Sequence, residues 1–281
     1  MPITIKSERE IERMREAGRR LALVHEKLKQ AIRPGISTAE IDRLGEALIR
    51  ELDSVPSFLH YNGYPASICV SVNEEVVHGI PSEKRILREG DIVSLDAGLI
   101  YEGYHADAAR THAVGAVTPE AQRLMDVTRE CFFEGIRFAR AGCHLHEISA
   151  AVEAHAEKYG YGVVRDLVGH GIGTHLHEAP EVPNYRPKKR GILLKPGMTL
   201  AVEPMINAGT WKVRWLEDHW TVVSTDHSLS AHYENTICIT EGEPEILTLT
   251  AEEAEQFSAC KMKKAENVEG GPNVESRCDR N

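Results

Sequence analysis

Apolar residues at Ile11, Met14, Ala17, Leu21, Val24 and Leu28 recur at three- and four-residue spacing, which places them on one face of a helix. Ser7 with Glu10 three places on is a capping-box start, and Arg33-Pro34-Gly35 is the stop. A second helix is predicted from Ser37 or Thr38 through Ile41, Leu44, Leu48 and Ile49. The pattern then shortens to strand-like runs over residues 68–72 and 76–78, the latter closed by Gly79-Ile80-Pro81. Leu87-Arg88-Glu89-Gly90 leads into another apolar run, residues 92–95. Thr118-Pro119-Glu120 opens a third helix through Leu124, Val127, Cys131 and Ile136, ended by Arg140-Ala141-Gly142. A fourth runs from about residue 146 to 159 and stops at Gly160. Residues 251–264 read as a short helix, and the apolar-poor stretch from Glu266 to the end reads as a disordered tail.

The order helix, helix, strand occurs twice. Gly35 and Gly142 both sit between two helices, and 142 − 35 = 107. Leu87-Arg88-Glu89-Gly90-Asp91-Ile92 resembles Leu194-Lys195-Pro196-Gly197-Met198-Thr199, and 197 − 90 is again 107. Ile41 and Ile148 share the offset. These matches predict a duplicated unit, with halves of about 7–114 and 118–249 inside one domain, 1–250, followed by the 251–281 segment. Two such halves are expected to pack face to face with their carboxylates in the seam.

Composition narrows the functional classes. The 281 residues are 42% hydrophobic and 27% charged, which is ordinary for a globular chain. A formal net charge of −10 argues against nucleic acid as a partner, in spite of Trp211, Trp215 and Trp220 near Lys212 and Arg214. No apolar run is long enough to cross a membrane, and the charged N-terminus lacks the apolar stretch of a signal peptide. The six cysteines are scattered without a Cys-x-x-Cys pair, so a reduced, cytoplasmic protein is expected.

The candidate chemistry starts at Asp96 and Asp107, which flank Tyr-Glu-Gly-Tyr in a predicted β-hairpin. With a two-residue turn at Glu102-Gly103, Asp107 faces Gly98 and Asp96 lies one diagonal away on the same face, roughly 7–8 Å off. A three-residue loop would put the two on opposite faces. Two carboxylates about 6 Å apart repel by roughly 3 kcal/mol at an effective dielectric of about 20. A shared proton, a basic neighbour or a metal must relieve that, unless both simply face water on a surface hairpin. The 107-residue offset puts Glu203 where Asp96 stands (96 + 107 = 203). His170 lies among glycines in Gly-His-Gly-Ile-Gly, where backbone can approach whatever the histidine binds, and Glu234 opens the apolar strand Ile237-Cys238-Ile239. Each feature alone has an ordinary reading as a turn histidine or a solvated strand end. Together, Asp96, Asp107, His170, Glu203 and Glu234 make four carboxylates and one imidazole. That donor set suits Mn²⁺, Fe²⁺, Co²⁺ or catalytic Zn²⁺, and its four charges match two divalent ions. Cys143-His144-Leu145-His146 lacks a closing ligand pair and reads as a helix start.

These residues and their local strings resemble type I methionine aminopeptidases. The likeness runs from about Ile3 to Leu249 and rests on Asn62-Gly63-Tyr64-Pro65, His78-Gly79-Ile80-Pro81, Asp107-Ala108-Ala109-Arg110-Thr111, Gly169-His170-Gly171-Ile172-Gly173 and Glu203-Pro204-Met205. It implies an α/β (α+β) pita-bread fold, with a curved antiparallel sheet, outer helices and two pseudo-symmetric halves. It also implies two divalent metal ions (Co, Mn, Fe or Zn). Asp96 would hold one, Asp107 and Glu234 would bridge, and His170 and Glu203 would complete the other. A hydroxide held by the ions would attack the carbonyl after the initiator methionine of nascent polypeptides, with Glu203 as general acid/base. The substrate's α-amine would bind the ion held by Asp96. His177 would stabilise the carbonyl oxygen, and His78 would contact the backbone beyond the scissile bond. Phe58, Tyr61, Tyr64, Cys69, Leu176 and Trp220 would form the methionine pocket, His175 remaining a surface residue. Only small second residues would be accepted, which the chain's own Met1-Pro2 fits, so a mature form starting at Pro2 is expected. A monomer is expected. The ribosome is a candidate partner, although no paired-cysteine extension is present to dock on it. Two alternatives remain: an Xaa-Pro peptidase of the same fold, and a non-catalytic peptide- or ribosome-binding relative.

Overall fold

A computed structural model describes residues 2–258 of the chain. Helices form where the apolar spacing places them: α1 is Glu8–Ala31 and α2 is Thr38–Glu51. At the start of α1 the Glu10 carboxylate accepts from the Ser7 backbone N–H, and at the start of α2 the Glu40 carboxylate does the same for Ser37. Each arrangement satisfies an amide that the helix itself cannot reach. The strands of the first half are β1 (Val55–Pro56), β2 (Ile68–Val72), β3 (Glu75–Val77), β4 (Ile92–Tyr101) and β5 (Tyr104–Ala113). In the second half, α3 is Pro119–Ile136 and α4 is Leu145–Lys158. Its strands are β6 (Gly162–Val163), β7 (Gly169–Gly171), β8 (Glu178–Val182), β9 (Thr199–Val202), β10 (Met205–Asn207), β11 (Val213–Trp215), β12 (Val222–Ser224), β13 (Ser230–His232), β14 (Glu234–Cys238) and β15 (Glu245–Ile246).

The 107-residue offset recurs in the backbone. The two second helices have 14 residues each and start 107 apart (145 − 38). The first central strands also start 107 apart (199 − 92), and the isolated bridges Ser37–Ile86 and His144–Leu193 differ by 107 at both ends. The glycines that end the matching turns, Gly35 with Gly142 and Gly90 with Gly197, all have positive φ.

The halves do not pack face to face as expected. They join edge to edge in one nine-stranded antiparallel sheet of order β1-β4-β5-β14-β9-β7-β8, with β2 on β4 and β15 on β14. The seam is the β5–β14 pair, in which Ala109 lies opposite Glu234. There the Asp107 N–H donates to Thr236 Oγ1, and the Thr236 hydroxyl donates back to the Asp107 carbonyl. Edge-to-edge joining pairs backbone groups that either half alone would leave open. The helices cover one face of this sheet: Leu21 and Leu28 of α1 pack with Leu95 and Leu99, and Phe132 and Ile148 pack with Leu200 and Ile237. Each such side chain contributes about 1.5–3 kcal/mol on burial.

Cys69, Cys131 and Cys238 are buried free thiols, as expected, whereas Cys143 is engaged in a disulfide, against the all-reduced reading. A helical segment does begin at residue 251; its predicted end at 264 and the predicted tail lie outside the described residues.

Candidate metal centre and its pocket

The hairpin has the tighter of the two turns considered. Tyr101 pairs with Tyr104, and both turn residues, Glu102 and Gly103, take positive φ, as a two-residue type I′ turn requires. The register puts Asp107 opposite Gly98 and Asp96 opposite Ala109, so both aspartates project from the same face. Both are buried, and their carboxyl groups are close enough to influence one another's protonation. A Cβ on Gly98 would come within 2.9 Å of the Phe58 ring, so the absent side chain makes room for that ring beside the aspartates.

The second half supplies the remaining donors. His170 lies on β7, Glu203 directly follows β9, and Glu234 opens β14. The His170 Nδ1 lies 2.8 Å from the Gly171 carbonyl. As donor to that oxygen it leaves the Nε2 lone pair directed at the carboxylates. Nε2 is 3.9 Å from Asp107 Oδ2 and 3.7 Å from Glu203 Oε1. The flanking glycines serve a different end from the one the sequence suggested. A Cβ on Gly171 would stand 2.3 Å from the Ala179 carbonyl, so the small residue admits a neighbouring strand rather than a ligand.

Burial pushes the Asp96 carboxyl up to about 7, against the lowering effect of the Asp107 side chain. Asp107 is held well above the usual carboxylate range by burial, then by the charges of Glu234 and Asp96. Glu203 is raised by burial and then by both aspartates, and Glu234 by burial and then by Glu203 and Asp96. Burial also takes His170 down to about 3. Protein charge alone therefore does not support four ionised carboxylates here. Asp96 Oδ1, Asp107 Oδ1 and Glu234 Oε1 are buried without a hydrogen-bond partner among the described residues. Donor atoms of Asp107, His170 and Glu234 lie within 4.8 Å of one another, and so do those of Asp96, His232 and Glu234. Orphaned, converging, oxygen-rich donors with imidazole fit divalent cations.

The centre opens into a cavity of about 270 Å³. All eight residues singled out for substrate line it: Phe58, Tyr61, Tyr64, Cys69, His78, Leu176, His177 and Trp220. Cys69 sits opposite Asp96 in the β2–β4 ladder, which places the pocket wall directly beside a metal donor. Tyr64 meets Trp220 edge-on at 5.1 Å and donates its hydroxyl to the Gly79 carbonyl. His78, with φ of 59°, lies edge-on to Trp220 at 6.4 Å. His177 Nδ1 is 2.8 Å from the Tyr61 hydroxyl. The loop carrying His177 is tied down by the buried Lys6–Glu178 pair at 2.6 Å, and Thr4 donates to the same carboxylate. His175 is exposed and outside the cavity lining, and His144 caps α4, as expected of both.

Two contributors were not singled out from the sequence. Arg110, buried, donates to the Glu234 main-chain carbonyl and to Asn235 Oδ1, and is held in turn by Glu253 from the C-terminal helical segment. Its place in the Asp-Ala-Ala-Arg-Thr string was visible, but the carboxylate that receives it lies 143 residues away. His232 lies two residues before Glu234, a spacing that puts alternate residues on one face of a strand.

A family model described as metallopeptidase family M24 matches residues 12–241. The chain is 52% identical over 247 residues to a methionine aminopeptidase of Clostridium acetobutylicum, covering 88% of this chain and 99% of that one. Its fold is similar to the crystal structure of a methionine aminopeptidase from Rickettsia prowazekii, with TM-score 0.86, 40% identity, and coverage of 88% of this chain and 100% of that one. An Xaa-Pro dipeptidase from Bacillus anthracis is also similar, with TM-score 0.67 and 28% identity, but the 87% of this chain that matches spans only 61% of it.

Proposed function

The chain belongs to metallopeptidase family M24, and from that premise we propose that it removes the N-terminal methionine from polypeptides whose second residue is small. The observation that carries this reading is the direct junction of the buried carboxylate cluster with an aromatic pocket, Cys69 against Asp96. A thioether gains about 0.3–1.5 kcal/mol from each aromatic contact, and Tyr61, Tyr64 and Trp220 offer three such faces.

Asp96, Asp107, His170, Glu203 and Glu234 would hold two divalent ions of the Mn, Fe, Co or Zn type. When bound, such ions polarise a carbonyl and lower the pKa of a water molecule toward about 7. Glu203 is the proton carrier. It sits at the end of its strand rather than within the ladder, and its two carboxylate oxygens face different partners, Oε1 toward His170 and Oε2 toward His232. His177 stabilises the substrate carbonyl. Its Nδ1 accepts from the Tyr61 hydroxyl, which leaves Nε2–H as the donor. His78 holds the backbone beyond the scissile bond, its orientation set by the rigid left-handed turn before Gly79. We place the enzyme in the cytoplasm as a monomer acting on nascent chains; among the described residues no helix is long and apolar enough to cross a membrane.

The test is a peptide panel with metal-reconstituted protein. Met-Gly and Met-Ala peptides should be cleaved, while Met-Lys, Leu-Gly and Xaa-Pro peptides should not. Faster turnover of Xaa-Pro peptides would overturn the assignment.

A further inference from the structure

His232 is a buried imidazole that the reading above leaves without a role. It is 1% exposed, and neither ring nitrogen has a hydrogen-bond partner among the described residues. A buried polar atom left without a partner is destabilising, so the ring calls for one. Opposite Met205 in the β10–β13 ladder, the ring stands over the carboxylate cluster. Its Nε2 is 3.8 Å from Glu234 Oε2 and 3.9 Å from Glu203 Oε2. These distances are too long for hydrogen bonds. They lie inside the span, at most about 4.4 Å, that two atoms each about 2.0–2.2 Å from a common ion can have.

The arrangement on the other side of Glu203 matches. His170 Nε2 lies 3.7 Å from Glu203 Oε1, as His232 Nε2 lies 3.9 Å from Oε2. Asp107, His170 and Glu234 form one converging set, and Asp96, His232 and Glu234 form a second, with Glu234 common to both. We propose that His232 is a sixth metal ligand, giving the ion held by Asp96 an imidazole of its own, so that each of the two ions carries one nitrogen donor. A second nitrogen shifts the centre's preference away from Mn²⁺ and Mg²⁺, toward Co²⁺, Ni²⁺ and Zn²⁺. The inference rests on the two-ion reading of the site and adds a ligand to it.

The experiment uses the intact protein loaded with two equivalents of Co²⁺. X-ray absorption counts imidazoles per cobalt, and titration of the visible Co²⁺ bands gives the two affinities. The wild type should show an average of about one imidazole per ion. His232→Ala should take the imidazoles bound per protein, the count per cobalt times the cobalt bound, from two to one and weaken binding of one equivalent by at least about tenfold. Loss of an outer partner alone also weakens metal binding about 10–100-fold, so the imidazole count decides between ligand and positioning residue. An unchanged count in His232→Ala, with circular dichroism matching the wild type, overturns the proposal. His232→Asn repeats the measurement should the alanine variant fail to fold. Asp107→Asn is the control for the underlying reading. If it loses cobalt while His232→Ala does not, His232 is no ligand and the two-ion site stands; if neither variant loses cobalt, the site assignment itself fails.

Discussion

The two halves of the molecule share a scaffold and divide the chemistry. Their second helices agree in length and position at the 107-residue offset, and each is followed by a strand that carries a carboxylate toward the seam, Asp96 in one and Glu203 in the other. The strands themselves have diverged. In the first half, β4 and β5 are ten residues each and pair without a break. In the second, the equivalent ladder is four residues against five, and Glu203 sits just past its end. The continuous hairpin fixes two aspartates rigidly on one face. The interrupted half places His170, His232 and Glu203 around them. The halves thus agree in helix length and glycine turns, which determine whether a unit folds, and differ in their strands, which determine what the unit does.

Removing the ions should affect this division most, because donors from both halves converge on them. Chelated protein should lose all measurable Met-Gly cleavage. It should also melt at a lower temperature by calorimetry, since binding at about one hundred times Kd contributes about 2.7 kcal/mol. Undiminished cleavage after chelation would refute metal dependence. Next in size, Glu203→Gln should lower kcat on the order of 10²–10⁴-fold and leave the circular dichroism spectrum as it is. A variant with full activity would remove the functional asymmetry between the halves.

Smaller effects are expected at the anchor behind the seam. Glu253→Ala leaves the buried Arg110 guanidinium unpaired and should cost about 3 kcal/mol in denaturant unfolding. Burial alone would raise the Glu253 carboxyl, but Arg110 outweighs it and brings it down to about 2 from an ordinary 4.5. A folded-state pKa below the unfolded one means that the stabilisation is complete above about pH 4.5 and fades as the pH falls toward 2. The wild type should lose stability through that window more steeply than Glu253→Ala; parallel curves would contradict the pairing. The smallest effect compares the two caps. Ser37 accepts from the Glu40 N–H with its side chain, while at the start of α4 the Glu147 carboxylate accepts from the His144 N–H at 2.8 Å. Ser37→Ala should therefore cost about 1 kcal/mol and His144→Ala less, measured by the shift in denaturation midpoint. Equal losses would show that the caps have not diverged.

Much of this was legible in the sequence, for reasons that differ by region. The hairpin was legible from its turn residues, but two registers were open, and the two-residue turn selects the one in which Asp107 faces Gly98. The helices followed from apolar spacing and caps. Glu203 followed from an offset that the backbone repeats. The mode of joining did not, because the β5–β14 pairing links residues more than 120 apart and neither strand's own pattern names its partner. His170's glycines were visible, but the neighbouring carbonyls that require them were not. His232 was obscured by the break at Tyr233 between β13 and β14, which hides the alternation linking it to Glu234. The Cys143 disulfide left no trace in the spacing of the cysteines.

The seam has a further consequence for the ancestry of the chain. β5 and β14 follow equivalent strands in the two halves and pair antiparallel. Antiparallel contact between equivalent edges is self-complementary, the contact a two-fold homodimer of single units would make. A half expressed alone would present that edge, with Ala108 and Ala109 on it, to any second copy. Carried within one chain, the contact does not depend on protomer concentration, and the two sides of the site are free to differ.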